Sequence, residues 1–94
     1  MIRVLLSERI QKTADKLPPE VRAKASRVIA DVAAAFGDPH RHSGLGLRKL
    51  AARSYEIRVH LHWRIVFIYD GKALVAYDVM SHDDVARWLR GQRK

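Results

Sequence analysis

Residues 47–64 read LRKLAARSYEIRVHLHWR and carry the alternation that decides the fold. Within this stretch, apolar residues at positions 55, 57 and 59 alternate with charged or polar residues at 56, 58 and 60. A period of two is typical of a β-strand with one buried and one exposed face. Cations on neighbouring strands of this kind gather on one face of a sheet, where they can bind a polyanion such as a nucleic-acid backbone.

The sequence before this stretch predicts a short strand and two helices. Residues 2–6 are an apolar run typical of a buried strand, and Ser7 is then placed to cap a helix over about residues 8–16. Pro19 begins a second helix, whose apolar residues recur at spacings of three, four and seven. We expect Gly37 to end this helix, so that the two helices form a hairpin with one apolar side.

The remaining segments predict a loop, two more strands and a last helix. Residues 38–46, DPHRHSGLG, are rich in turn formers and predict a loop. Residues 63–69 are almost entirely apolar and predict a central strand. Asp70-Gly71 predicts a type I′ turn into a return strand over 72–80, after which Ser81 caps a helix. The predicted order is β-α-α-β-β-β-α, an α+β fold with its helices on one face of a mostly antiparallel sheet and the other face open.

Length and composition restrict the class of protein. A chain of 94 residues with 48% hydrophobic residues predicts one globular domain over residues 1–94. The net charge of +8 favours an anionic partner, either nucleic acid or an acidic protein, although a solvated basic surface is the alternative. The absence of cysteine excludes disulfides and thiolate metal sites. The N-terminal apolar run is too short for a signal peptide or membrane span, so we expect a soluble, cytoplasmic protein with no membrane partner.

The charged residues of the predicted sheet fit one reaction, RNA cleavage by attack of a 2′-hydroxyl on the neighbouring phosphorus. That reaction needs a base, cations for the phosphoryl oxygens and an acid for the leaving 5′-oxygen. Glu56 or His82 is the candidate base, and His82 also suits the acid because imidazole titrates near neutral pH. Arg58 and Arg64 are candidates to hold the charged phosphorane through paired hydrogen bonds. Such a site needs no metal.

Each of these residues also has a purely structural interpretation. Arg58 and Glu56 can form a cross-strand charge network, Arg64 can stack on Trp63, and His82 can be no more than the start of a helix. The combination of the four, rather than any one of them, favours catalysis.

Four histidines raise the further question of a metal site. His40, His42, His60 and His62 are near one another in sequence, and imidazole is a ligand for zinc or nickel. No carboxylate completes a ligand set at a recognised spacing. The sequence therefore predicts no metal centre.

The order of elements and the string LRKL…YEIRV…WRIVFIYDGKALVAYDVMSHDDV, between Leu47 and Val85, resemble the RelE/ParE superfamily of bacterial toxins from type II toxin–antitoxin systems. Members of the RelE branch are typically metal-independent endonucleases that cut mRNA on the ribosome, whereas the ParE branch targets DNA gyrase. The resemblance implies a RelE-like fold, an mRNA endoribonuclease that inhibits translation, no cofactor, and neutralisation by a cognate antitoxin. A non-enzymatic gyrase inhibitor and an inactive RNA-binding relative are the alternatives.

The resemblance also implies roles for particular residues. Arg58 and Arg64 match positions where nuclease members often place arginines facing the cleft, and His82 matches a region that holds a proton-transferring histidine or arginine. Lys49 lies where basic residues commonly contact the substrate backbone. The predicted catalytic residues are Arg58, Arg64, His82 and Glu56, and the predicted RNA-binding residues are Arg48, Lys49, Arg53 and His60. The chain departs from the family in lacking a terminal Tyr or Phe and ending instead in the basic tail GQRK.

Overall fold

A computed structural model describes residues 1–92 of the chain. In that part it contains, in order, β1 (Val4–Leu6), α1 (Glu8–Ala14), α2 (Pro19–Ala35), α3 (Pro39–Leu45), β2 (Arg48–Ala51), β3 (Ser54–His60), β4 (Trp63–Tyr69), β5 (Leu74–Ser81) and α4 (His82–Gly91). The strands form one sheet in the order β1-β5-β4-β3-β2, with β1 and β5 parallel and the other neighbours antiparallel. The predicted α+β fold with a mostly antiparallel sheet and a central β4 is confirmed.

The first helix begins at the predicted cap and is tied to the sheet by the same residue. The hydroxyl of Ser7 accepts a hydrogen bond from the Ile10 N–H at 3.0 Å and donates one to the Tyr77 carbonyl at 2.6 Å. The helix ends at Ala14, slightly earlier than predicted, because the Lys16 N–H already bonds to a carbonyl three residues back as the chain turns toward the prolines. Ser7 thus fixes both the start of α1 and its attachment to β5.

Within residues 38–46 the chain forms helix α3 (Pro39–Leu45), so the prediction of a loop there is wrong. The Asp38 carboxylate accepts hydrogen bonds from the N–H groups of His40 and Arg41 at 3.1 and 3.4 Å, and Pro39 occupies the first turn. Gly46 ends the helix with a φ of +82°, in the left-handed region that favours glycine. Asp, Pro and Gly are turn formers and also helix caps, and here they serve as caps.

Strand β2 is a second element that the sequence interpretation missed. Arg48 is the Cα partner of Glu56 and Lys49 is the partner of Tyr55, and the register shifts between Lys49 and Ala51. A strand of four residues that contains a bulge shows almost no period of two, so its pattern is weak. The predicted order therefore lacks one helix and one strand.

The turn between β4 and β5 also differs from the predicted type I′ turn. A type I′ turn requires a positive φ at both of its central residues. Gly71 has a φ of +96°, but no non-glycine residue in the described part of the chain, Asp70 included, has a positive φ. The Asp70 carboxylate instead accepts hydrogen bonds from the N–H groups of Lys72 and Ala73, both at 2.8 Å. Because residues 70–73 are used in this turn, the return strand begins at Leu74 rather than at Lys72.

The turn predicts a pH-dependent contribution to stability. The hydrogen bonds, first that from the Ala73 N–H, hold the pKa of Asp70 below its ordinary value of 3.8. A carboxyl whose pKa is lowered on folding stabilises the protein above its unfolded pKa, and that contribution is lost as the pH falls. Asp70→Ala should therefore lower the urea midpoint at neutral pH, and the difference from wild type should narrow as the pH falls below the ordinary value of 3.8. Asp31→Ala, at an exposed position of α2, is the control. A difference independent of pH would contradict this interpretation.

The core divides the sheet into two differently covered faces. Ile65 and Phe67 of β4 are fully buried in the main core cluster, to which α1 and α2 contribute. Val66, between them in sequence, belongs to a second cluster with Met80 and with Val85 of α4. Neighbouring residues on a strand point to opposite faces, so α4 covers part of the face that was expected to be open. The uncovered remainder lies toward β3 and β2. None of the described helices is long and apolar enough to span a membrane.

Candidate active site

Strands β3 and β4 bring Arg58 and Arg64 side by side. The two residues are Cα partners in the antiparallel register. Directly opposed side chains lie on the same face, with Cβ atoms about 4.5–5.5 Å apart. Arg58 is exposed, whereas the Arg64 side chain is 15% exposed. Two neighbouring guanidinium groups concentrate positive charge at this point of the sheet.

Glu56 is the acidic residue of this face and is almost completely buried, with 3% exposure. Its Oε1 lies 3.5 Å from Nη1 of Arg64, and its Oε2 lies 3.6 Å from Nη2 of Arg48. These distances are within ion-pair range, but the geometry does not make them hydrogen bonds, and Oε1 has no hydrogen-bond partner among residues 1–92. Glu56 is therefore a buried counter-charge shared by two arginines, and its carboxylate oxygens are still able to accept hydrogen bonds.

Arg48, Glu56, Arg58 and Arg64 form what we call the arginine cluster. Three guanidinium groups and one carboxylate leave two positive charges uncompensated. Glu56 is engaged by Arg48 and Arg64, while Arg58 forms no ion pair within the described part of the chain. The structural interpretation of Arg58 and Glu56 was a charge network between these two residues. In the structure the network joins Glu56 to Arg48 and Arg64 instead. Arg58 is the exposed cation that an incoming anion would meet first.

His82 lies at the same end of the sheet as the arginine cluster. Met80 is the Cα partner of Arg64 and Ser81 is the partner of Trp63, so His82 follows directly as the first residue of α4. It is exposed to solvent. Neighbouring strands are about 4.8 Å apart, so the end of β5 is about 10 Å from β3 across the sheet. His82 therefore stands at the margin of the cluster, with β4 between it and Arg58.

The predicted RNA-binding residues do not all reach this face. Arg48 belongs to the arginine cluster, and His60, half-buried, pairs with Trp63 at the same end of β3. Lys49 is the partner of Tyr55 and so lies on the opposite face from Arg48. Arg53 precedes the far end of β3, about 17 Å along the strand from Arg58. The structure brings Arg48 to the cluster and leaves Lys49, Arg53 and His60, the partner of Trp63, outside it.

A buried carboxylate at the edge of β5 was not singled out from the sequence. Asp78 is 8% exposed and accepts hydrogen bonds from Nε of Arg9 at 3.1 Å and from the Thr13 hydroxyl at 2.6 Å. The guanidinium of Arg9 also lies over the Tyr77 ring, 5.5 Å from its centroid. These partners hold α1 against β5, so Asp78 has a structural role. In the sequence, Asp78 could have been found as an acidic residue within an otherwise apolar predicted strand.

The four histidines weighed as metal ligands are not drawn together with acidic side chains. Residues 1–92 contain no group of three or more His, Asp or Glu side chains placed to hold a metal ion.

Comparison with known proteins gives matches over most of the chain. A family model described as ParE-like toxin domain matches residues 19–85. The structure is similar to a RelB–RelE antitoxin–toxin complex from Methanococcus jannaschii, with a TM-score of 0.68, 16% identity, and coverage of 89% of this chain and 96% of that chain. It is also similar to a RelE–RelB complex from Pyrococcus horikoshii OT3, with a TM-score of 0.65, 14% identity, and coverage of 85% and 93%. A YoeB/ParE toxin from Agrobacterium tumefaciens matches with a TM-score of 0.63, 17% identity, and coverage of 86% and 99%. No curated protein matches the sequence significantly. At such low identities, the structural matches show a shared fold.

Proposed function

This chain belongs to the ParE-like toxin family, and on that premise we propose that it is a metal-independent mRNA endoribonuclease that acts on the ribosome and inhibits translation. The observation that carries the proposal is the arginine cluster. Arg58 is exposed and unpaired within the described residues, beside an Arg64 that is held by the buried Glu56. A site with surplus, partly desolvated positive charge suits a reaction in which negative charge grows on phosphoryl oxygens.

The proposed reaction is attack of a ribose 2′-oxygen on the adjacent phosphorus. The new bond is between the 2′-oxygen and phosphorus, and the bond that breaks joins phosphorus to the 5′-oxygen. The products are a 2′,3′-cyclic phosphate and a 5′-hydroxyl, with one proton leaving the 2′-hydroxyl and one arriving at the 5′-oxygen. Arg58 and Arg64 stabilise the charged phosphorane, each through a planar pair of N–H donors.

Within this proposal the two candidate bases receive different roles. His82 is exposed at the margin of the cluster, and imidazole is the side chain most often used for general acid–base catalysis. Glu56 is buried, and both of its carboxylate oxygens are within ion-pair distance of arginines. We therefore assign Glu56 to positioning Arg64 and Arg48 rather than to taking the proton. Arg48 lies beside the path of the RNA backbone, whereas His60, Lys49 and Arg53 contact it farther away.

The proposed protein partner is an antitoxin. The structurally similar RelB–RelE assembly from Methanococcus jannaschii is an antitoxin–toxin complex. The +8 charge of this chain and its uncovered basic face suit an acidic or amphipathic segment laid over the cluster. Such a segment would block Arg58 and so suppress RNA cleavage.

One observation favours a second candidate function. The family model that matches is named for ParE, and in the ParE branch the fold inhibits DNA gyrase without enzymatic activity. In that case the basic face would contact the topoisomerase instead of RNA.

Induced expression in a bacterium distinguishes these functions when mRNA ends and plasmid supercoiling are followed in the same culture. The nuclease predicts new mRNA ends within codons, bearing 5′-hydroxyls, that disappear in Arg58→Ala and His82→Ala. Arg27→Ala, at an exposed position of α2, removes the same charge away from the cluster and should leave the ends in place. Changed supercoiling with intact mRNA would exclude the nuclease and support the gyrase inhibitor.

A further inference from the structure

An open pocket of about 540 Å³ lies beside the arginine cluster, lined by helix α3, strand β2 and one residue of β3. Its polar and aromatic lining is provided by His42, Ser43, Arg48, Lys49 and Tyr55. We call it the β2 pocket. Its volume is within the range of small-ligand sites, and it combines aromatic rings with cations, which is the chemistry that binds a base and a phosphate together.

The aromatic wall of the β2 pocket is fixed by contacts within the protein. The ring of His42 stacks on Phe36 at a centroid distance of 5.2 Å, and the rings of Tyr55 and Phe36 are nearly perpendicular with their centroids 5.1 Å apart. Nε2 of His42 accepts a hydrogen bond from the Gly37 N–H at 2.9 Å, which leaves the proton of the neutral ring on Nδ1. The wall is therefore preorganised, which reduces the entropy that a ligand must lose on binding.

The cations of the β2 pocket connect it to the arginine cluster. Lys49 is exposed, is the Cα partner of Tyr55, and has no ion pair within residues 1–92. Arg48 lines the pocket, and its Nη2 also lies 3.6 Å from Glu56 in the cluster. Arg48 thus stands at the edge of the sheet between the two sites. A chain of phosphates that passes this edge would meet cations on both sides of it.

We propose that the β2 pocket binds one nucleotide of a single-stranded RNA whose neighbouring phosphate lies at the arginine cluster. The base packs against the wall formed by His42 and Tyr55, and its phosphate is bound by Lys49 and Arg48. The hydroxyls of Ser43 and Tyr55 are the groups available to a ribose 2′-hydroxyl, which distinguishes RNA from DNA. This inference rests on the proposed function because it takes RNA as the substrate.

Nuclear magnetic resonance with small probes tests the pocket without any need for cleavage. Adenosine 5′-monophosphate should shift the ring signals of His42 and Tyr55 and bind at least about fivefold more tightly than inorganic phosphate or adenosine, because it alone engages both the ring wall and the cations. If phosphate reproduces all the shifts, or if they are confined to the arginine cluster, the pocket assignment is overturned.

Charge-matched variants test the pocket with a fluorescently labelled hexanucleotide RNA. Lys49→Glu should weaken binding about tenfold or more, whereas Arg27→Glu, with the same change of charge at an exposed site on α2, should weaken it about twofold or less. Equal losses of RNA affinity in the two variants would show that Lys49 acts only through general electrostatic attraction, and this would overturn the proposal.

The variant Tyr55→Phe tests the contact to the ribose. It keeps the packed ring and should narrow the preference for RNA over the same DNA sequence. If the wild-type protein binds RNA and DNA with equal affinity, the proposed ribose contact is also contradicted.

The pocket and the proposed nuclease can fail separately. Arg58→Ala should abolish cleavage while the monophosphate still shifts His42 and Tyr55. If wild type binds the monophosphate in the pocket but produces no new mRNA ends in cells, the nuclease is excluded while nucleotide binding stands. If cleavage depends on Arg58 but the pocket signals do not move, only the pocket assignment is lost.

Discussion

Arg64→Ala is expected to lower the rate of RNA cleavage by roughly a hundredfold to a thousandfold, the usual loss when one preorganised donor to a developing oxyanion is removed. The side chain of Arg64 is 15% exposed and its Nη1 lies 3.5 Å from the buried carboxylate of Glu56, so little reorganisation is needed when charge develops on the phosphorane. The measurement is single-turnover cleavage of mRNA on purified ribosomes. Arg64→Lys should recover only a small part of the loss, because an ammonium group cannot donate the planar pair of hydrogen bonds.

Whether the Arg64→Ala substitution changes kcat or KM identifies the role of Arg64. A group that acts on the transition state lowers kcat, whereas a group that only holds RNA raises KM. Arg64→Ala should therefore act mainly on kcat, and Lys49→Glu mainly on KM. Arg27→Ala controls for lost net charge, and its cleavage rate should stay within about twofold of wild type. An Arg64→Ala protein that folds and cleaves at the wild-type rate would remove the arginine cluster from the chemistry.

Most of the fold could be predicted from local patterns that have little ambiguity. The strict alternation in β3, the apolar run of β4 and the capping serines Ser7 and Ser81 each determine an element from neighbouring residues alone. Helix α3 could not be predicted, because Asp38, Pro39 and Gly46 fit a turn as well as a pair of caps. Strand β2 could not be predicted either, since its four residues and its bulge leave no period to detect.

The candidate site was predictable where it depends on one hairpin and not where it depends on β2. Arg58 and Arg64 flank a short connection between two predicted strands, so their proximity follows from the pattern, whereas the register shift between Arg58 and His60 that makes them direct partners does not. The ion pair between Arg48 and Glu56 requires the register of a strand that the sequence does not indicate. The same register turns Lys49 to the face opposite Arg48, since a shift of one residue along a strand reverses the direction of the side chain. The β2 pocket follows from that reversal.

The second large effect is on stability and concerns Glu56. Glu56→Leu leaves the mostly buried Arg64 without its counter-charge and should lower the free energy of unfolding by about 2–4 kcal/mol, less than the full cost of a wholly buried unpaired charge because Arg64 retains some solvent contact. Glu56→Leu combined with Arg64→Leu should recover much of this loss, because the double variant leaves no buried charge unpaired and Arg48, whose side chain is 68% exposed, is solvated. Urea unfolding of the two single variants and the double variant measures the coupling. Losses that simply add would show that the ion pair contributes nothing.

The conservative variant Glu56→Gln separates a positioning role from that of a general base. The amide keeps the shape of the side chain but removes the negative charge that holds Arg64 and Arg48. If Glu56 positions these arginines, kcat should fall about tenfold while the pH profile of cleavage keeps its acidic limb, because the proton is still taken by His82. His82→Ala should remove that limb. The acidic limb is the fall in cleavage rate at low pH. If this fall disappears in Glu56→Gln but stays unchanged in His82→Ala, Glu56 is the base instead. The buried carboxylate would then have to reach the 2′-hydroxyl through its Oε1, the oxygen that has no hydrogen-bond partner among residues 1–92.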